Sequence, residues 1–316
     1  MRGTEGPTGR AAVRLKNKQK GQDRSMKIPV SPAVQAARQV RFESADQYRV
    51  PYSRELEGKS FELVFDDGYE LLVSFPMRDR IQFQGSDSDR VYFEEAHVLK
   101  ADDEAYFLMT EIKGSEPRTG FMLLLDTKER LVTGNFVQQG TRPDFKNLVT
   151  RKVRFGAMKE GDAPLPEKRH EFTHDLEGKA IEWQYKPNFS VIHVYLADNK
   201  YTVAFSKEQR ERMKKEAAEK EKENPKKKEP QRKIPDPYWD SCVYVKFRDN
   251  LYMFSFIEEN LGSGTEGLMI INTDRVHDVG CFWGADPHGN REGYMFCAYG
   301  TWVREHLPEQ DILDRL

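Results

Sequence analysis

Little in this sequence points to a membrane or an oxidising compartment. It has no run of about 18 apolar residues, the length a helix needs to span a bilayer core, so a transmembrane helix is not expected. Its first residues contain no apolar block of the secretory type, which disfavours export. Cysteine is scarce. Cys242, Cys281 and Cys297 are odd in number and lack metal-ligand spacing, a usage that suits a reducing cytoplasm rather than a disulfide framework. Neither sign of charge dominates, with 50 Lys and Arg against 52 Asp and Glu for a net charge of -2. That balance excludes an overall basic nucleic-acid binder and an acidic solvating chain.

What is present is enough apolar material for packed cores: 316 residues, 38% hydrophobic and 11% aromatic, fit about two domains of ordinary size. The charge is unevenly spread. Residues 1–25 carry seven Lys and Arg against Glu5 and Asp23 with little aliphatic bulk, a composition expected to be disordered. Residues 207–233 carry 12 basic and seven acidic side chains. The first half of that tract suits a solvated helix with i,i+4 Glu/Lys pairs, and Pro225 and Pro230 end it. Each segment contributes +5, so the remainder carries -12 and is clearly acidic.

The sequence is internally duplicated. Leu56-Glu57-Gly58-Lys59 recurs as Leu176-Glu177-Gly178-Lys179, and the stretches that follow align at an offset of 120, pairing Phe65 with Tyr185, Tyr69 with Phe189 and Phe75 with Tyr195. Further on the offset is 146, pairing Glu94 with Asp240, Tyr106 with Tyr252 and Gly134 with Gly280. The difference of 26 nearly equals the 27 residues of 207–233, which are therefore read as an insertion in the second repeat. Without it, 56–156 and 176–303 are both 101 residues long.

Both repeats read as antiparallel β. Short aromatic or branched segments such as YELLVSF, RIQFQ, AYFLMTEI and GFMLLLD alternate with Asp/Gly/Asn/Lys turn signals, and about eight of them per repeat would close a small up-and-down barrel. The expected architecture is all-β: two tandem lipocalin-like barrels, with a tail over 1–45, a first barrel over 46–160, a connector over 161–175 and a second barrel over 176–316. A short helix is expected over 34–48.

Two motifs match chemical signatures literally. His170-Glu171-Phe172-Thr173-His174 fits H-E-x-x-H, but it lies between Pro164/Pro166 and an expected strand, without room for the helix that puts both histidines on one face. Gly262 to Gly267 fits G-x-G-x-x-G, but LMIINTD follows it, which reads as a strand rather than the helix a dinucleotide site needs. Coincidence and a hairpin are the expectations. Neither a metal nor an organic cofactor is expected.

The polar residues within the second repeat are more suggestive. Period-two alternation puts Val191, His193 and Tyr195 on one face, with Tyr201 on the next strand. Tyr252, Phe254, Phe256 and Glu258 share another face, and Asp240 and Tyr244 lie on the strand before it. If these faces point inward, the barrel offers acid–base groups among aromatic rings. The competing expectation is that these groups face outward or merely satisfy one another. The first repeat has Tyr69, Tyr92, Glu94, Tyr106, Glu111 and Arg118 but Val73 in place of His193, and is expected to serve packing and inter-barrel support.

Taken together, LEGKAIEWQY, SVIHVYLADNKYTVAF, YWDSCVYVKF, NLYMFSFIEE and VGCFWG resemble the C-terminal region of the MoaF (molybdenum cofactor biosynthesis protein F) family. LEGKSFELVFDDGYELLVSF through RTGFMLLLDTKERLVTGNFVQQG resembles that family's N-terminal domain. The resemblance covers about residues 45–303 and implies two lipocalin-like (calycin) barrels, the architecture also of phenolic acid decarboxylases. It implies an indirect role in making the cofactor, with relatives that act as small-molecule lyases, isomerases or cyclases. His193, Tyr195 and Tyr201 match the family's His-x-Tyr-rich strand pair, while the insertion after Phe205 departs from its pattern.

The resulting expectation is a cytoplasmic lyase or isomerase that needs no organic cofactor. His193, Glu258, Tyr195 and Tyr201 would carry catalysis, and Asp240, Tyr244, Tyr252, Phe254 and Trp183 would bind an apolar or aromatic substrate. A non-catalytic small-molecule-binding or accessory protein of cofactor biosynthesis is the alternative. No nucleic-acid or membrane partner is expected, and a homodimer is compatible with the sequence.

Overall fold

A computed structural model describes residues 47–223, 239–260, 263–285 and 289–304. The expected tail, most of the 34–48 helix, and Pro225 and Pro230 lie outside them. Each repeat forms a closed antiparallel barrel of eight strands. The first is built from β1 (Ser60–Phe65), β2 (Glu70–Met77), β3 (Arg80–Gly85), β4 (Tyr92–Asp102), β5 (Ala105–Ile112), β6 (Arg118–Asp126), β7 (Leu131–Gln139) and β8 (Val149–Lys159), closed by β8 on β1. A two-residue strand, β9 (Glu171–Phe172), then leads to β10 (Ala180–Lys186), β11 (Phe189–Leu196) and β12 (Lys200–Ala204). After helix α1 (Lys207–Glu223) come β13 (Asp240–Arg248), β14 (Leu251–Ile257), β15 (Glu266–Asn272), β16 (His277–Ala285) and β17 (Arg291–Arg304). β12 meets β13 and β10 meets β17, so the second barrel closes too, with β9 appended to β13.

The duplicated Leu-Glu-Gly-Lys segments close one end of each barrel. Gly58 and Gly178 adopt φ of 78° and 75°, a left-handed conformation that favours glycine. The turn lets the Gly58 amide donate to the Phe75 carbonyl at 2.7 Å, and the Gly178 amide to that of Tyr195 at 2.8 Å. A carboxylate, a tyrosine and a lysine secure the same end. Tyr106 donates to Glu55 at 2.6 Å and Lys100 to Glu55 at 2.9 Å; Tyr252 donates to Asp175 at 3.1 Å and Lys246 pairs with Asp175 at 3.0 Å. At the same end, the Asp198-Asn199 pair, both at φ 57°, makes the tight β11–β12 hairpin.

Strand periodicity reports what each face meets. β2 alternates, burying Leu71, Val73 and Phe75 while Leu72 stays exposed. β6, β14 and β15 are buried on nearly every residue, because their outer faces pack against the other barrel. That seam is one apolar cluster, with Leu99, Phe107, Met122 and Leu124 from the first barrel and Phe247, Met253, Leu268 and Trp283 from the second. Charged groups stitch it. Arg248 grips Asp126 with two hydrogen bonds of 2.7 and 2.9 Å, and Glu266 accepts from Asn135 at 2.9 Å and pairs with Arg151 at 3.2 Å.

The last strands refine the repeat alignment. Arg154 stands opposite Gly134 as Phe296 stands opposite Gly280, so β8 and β17 correspond at an offset of 142 rather than 146. The β7–β8 connection is correspondingly four residues longer than that between β16 and β17.

Candidate functional site

The interior of the second barrel gathers six of the nine residues singled out in the sequence. His193, fully buried on β11, is ringed by Tyr201, Phe254, Phe256 and Tyr195, with ring centroids 5.6 to 6.5 Å away. Alternation on β11 aims it inward with Val191 and Tyr195. Trp183 donates from Nε1 to the Tyr195 hydroxyl at 3.0 Å. The Tyr244 hydroxyl turns to the β11–β12 hairpin, donating to the Lys200 carbonyl at 2.8 Å, while its ring stacks on Phe254. Burial pushes the Tyr195 and Tyr244 hydroxyls far up in pKa and the Cys242 thiol to about 12, so all three hold their protons at neutral pH.

The other three candidates sit at the barrel's ends. Glu258 and Asp240, both buried, occupy the end away from the Leu-Glu-Gly-Lys turn. Ser263 Oγ lies 3.3 Å from a Glu258 carboxylate oxygen, and Asp240 accepts the Asn260 amide at 2.6 Å. Glu94, the first-repeat counterpart of Asp240, likewise accepts the Lys113 amide, at 3.0 Å. Tyr252 lies at the closed end, in the same arrangement as Tyr106.

Sequence reasoning missed Asp278. It is wholly buried in the second barrel, accepting the Ala298 amide at 2.6 Å with one oxygen while the other has no hydrogen-bond partner among the described residues. Burial drives its pKa well above the usual carboxylate range, so it is held as the neutral acid, a potential donor. The spacing Asp278-x-Gly280-x-Phe282 was the available signal, since Phe282 belongs to the inner core. The first barrel has Val132 at the matching position and Val73 in place of His193, both fully buried.

In the first barrel, Val73 and Tyr106 lie within the core, whereas Glu111 and Arg118 lie at the seam. There Arg118 bonds Glu111 at 2.6 Å, and its guanidinium sits 4.4 Å from the Trp283 ring. These residues line a cleft of about 650 Å³ between the barrels. A cavity of about 410 Å³ opens into the mouth of the first barrel, between Tyr69, Phe83, Tyr92, Phe121 and Phe136.

The two literal motifs are accounted for by packing. β9 makes the His170 segment extended: His170 is buried against Thr133 at 2.8 Å, while His174 is exposed and bonds Glu177 at 2.8 Å. Among the described residues no group of three or more His, Cys, Asp or Glu is arranged to hold a metal. Strand β15 begins at Glu266, and the Gly264 carbonyl accepts the Val149 amide of the other barrel at 2.8 Å.

Residues 42–137 match the family model of the MoaF N-terminal domain, which spans the first barrel from its entry to β7. The first barrel is similar to the MoaF N-terminal domain. No curated protein matches the chain. The repeated closing turn and end contacts carry the same barrel architecture into the second repeat, which lies beyond the MoaF match. No helix among the described residues is long and apolar enough to cross a membrane.

Proposed function

We propose that the second barrel takes a small apolar or aromatic molecule and moves a proton on it, in lyase or isomerase chemistry that uses no organic cofactor. One comparison carries this reading. At two inner positions where the first barrel closes with Val73 and Val132, the second has His193 and Asp278. A buried imidazole or carboxyl must be stripped of water, a cost that a valine at the same position does not carry. Since valine suffices for the fold, the histidine and the carboxyl serve something other than packing.

His193 is the proton acceptor and donor. Tyr195, Tyr201 and the neutral Asp278 carboxyl are the donors that would stabilise charge developing on a substrate oxygen, and Glu258 is a second carboxyl group at the end away from the Leu-Glu-Gly-Lys turn. A proton taken from carbon and returned at another position gives an isomerase; loss of a leaving group instead gives a lyase. The MoaF match supports a place among proteins related to molybdenum cofactor biosynthesis.

The test is to incubate the purified protein with a small-molecule extract of its source cells and follow the products by mass spectrometry. Conversion should fall by about 10² or more in His193→Val and clearly in Asp278→Asn, with both variants folded. Unchanged conversion in both would reject the assignment. The four rings packed around His193 favour a second reading, a non-catalytic binder. It predicts a retained metabolite that is never converted.

A further inference from the structure

The mouth of the first barrel is built unlike that of the second. In β8 the apolar Val149, Val153 and Phe155 turn outward to the seam, so Thr150, Lys152 and Arg154 form the inward row. At the corresponding positions β17 has Tyr294 for Lys152 and Phe296 for Arg154, and Phe296 belongs to the second barrel's core. The first barrel is thus open and cationic where the second is filled by rings.

The cavity of about 410 Å³ has aromatic walls. Phe83 stacks on Tyr92 at 5.0 Å and meets Phe121 edge-on at 4.9 Å, and Phe136 meets Tyr69 edge-on at 5.6 Å. Arg154 lies over two of these rings, its guanidinium carbon 4.2 Å from the centroid of Tyr69 and 4.5 Å from that of Phe136. Rings on both contacts fix the plane of the guanidinium. Its Nε donates to Asp67 at 3.0 Å, while its terminal nitrogens make no hydrogen bond among the described residues. Lys152 shares the same Asp67 oxygen at 2.6 Å. Asp87 also lines the mouth, and Arg90 sits on Tyr92, its guanidinium carbon 4.7 Å from the ring centroid. The Tyr69 hydroxyl, pushed up to about 12 by burial, remains a donor beside Arg154. Gly85 makes room for it, since a Cβ there would meet that hydroxyl at 2.2 Å.

The geometry points to a second binding site, in the mouth of the first barrel, for a small aromatic monocarboxylate whose ring lies among Phe83, Phe121 and Phe136 and whose carboxylate meets Arg154. An aromatic body matches the walls, and a planar carboxylate matches the terminal edge of the guanidinium.

The probe is 2-naphthoate, titrated against the full chain by its own fluorescence, with 2-naphthylmethanol as the neutral analogue. Naphthoate should bind more tightly than the alcohol. Arg154→Gln should weaken naphthoate about tenfold or more and leave the alcohol unchanged. Gln138→Trp, at an exposed position on the rim, should block both ligands while leaving the circular dichroism spectrum native. His193→Val should leave naphthoate binding unchanged, which separates this site from the proposed chemistry of the second barrel. The proposal is overturned if naphthoate fails to bind at millimolar concentration, if folded Arg154→Gln and Gln138→Trp both bind it as the parent does, or if His193→Val abolishes binding.

Discussion

Asp278 is the residue whose energetics are most at odds with a purely structural role. Its folded pKa is raised above the unfolded value by burial. Its favourable contribution is therefore complete below about pH 4 and is lost as the pH climbs through the folded pKa, beyond which the unfolded chain ionises more readily than the folded one. Asp278→Asn keeps an oxygen for the Ala298 amide and removes the titration. The variant should exceed the parent in stability by about 1–3 kcal/mol at pH 8, an advantage that shrinks towards pH 4. Urea unfolding at the two pH values decides it, and an equal difference at both would show that burial of the charge is not the cause. Asp126 titrates in the opposite sense. Burial would raise it, but contacts from His170 and Arg248 outweigh burial and hold it well below the usual range, so its contribution is present above about pH 4 and lost in acid.

At the level of elements, α1 is the departure from the duplicated plan. Ser206 caps it by accepting the Gln209 amide at 3.1 Å, Gln209 is buried, and Arg212 donates to the Asn188 carbonyl at 2.5 Å. The other described side chains of the helix are largely exposed. In the first barrel the β3–β4 connection is only residues 86–91. Excising 207–235 leaves a connection of equal length between β12 and β13, and the melting temperature should change by no more than a few degrees. Loss of the folded state on excision would make the helix part of the barrel rather than an addition to it.

The elements also show what the sequence could and could not reveal. Leu-Glu-Gly-Lys, the offsets and the Asp-Asn hairpin are local signals, and they gave the duplication, the strands and the eight-stranded closure. Alternation gave the inward aim of His193 and Tyr195. Alternation alone does not orient β8, where Val149, Val153 and Phe155 face the seam and Thr150, Lys152 and Arg154 form the inner row. Pairing two barrels inverts the usual rule, since an outer face buried in the seam is apolar and an inner face at an open mouth can be charged. The unbroken apolar runs GFMLLLD, YMFSFI and GLMII were the sign of a second buried face.

At the scale of the whole molecule, the seam makes the two barrels one cooperative unit. Arg248→Met would leave Asp126 buried beside an apolar side chain, at a cost of about 3–5 kcal/mol. Denaturation followed separately by tryptophan fluorescence and far-ultraviolet circular dichroism should show a single coincident transition in the parent and in the variant. Two resolved transitions in the parent would show that the barrels unfold independently.

The seam has one more consequence. Leu99, Ala101, Ala105, Phe107, Met122, Leu124 and Val137 on one side have Val245, Phe247, Leu251, Met253, Leu268, Ile270 and Trp283 as their repeat counterparts on the other, all at the offset of 146. The same patch of each barrel meets itself, as in an isologous dimer about a twofold axis. A dimer of identical chains must carry every substitution twice, whereas a tandem fusion frees each half to change alone. Here one half has acquired His193 and Asp278 in its interior and the other Lys152 and Arg154 at its mouth, an asymmetry that a symmetric assembly of single barrels could not express.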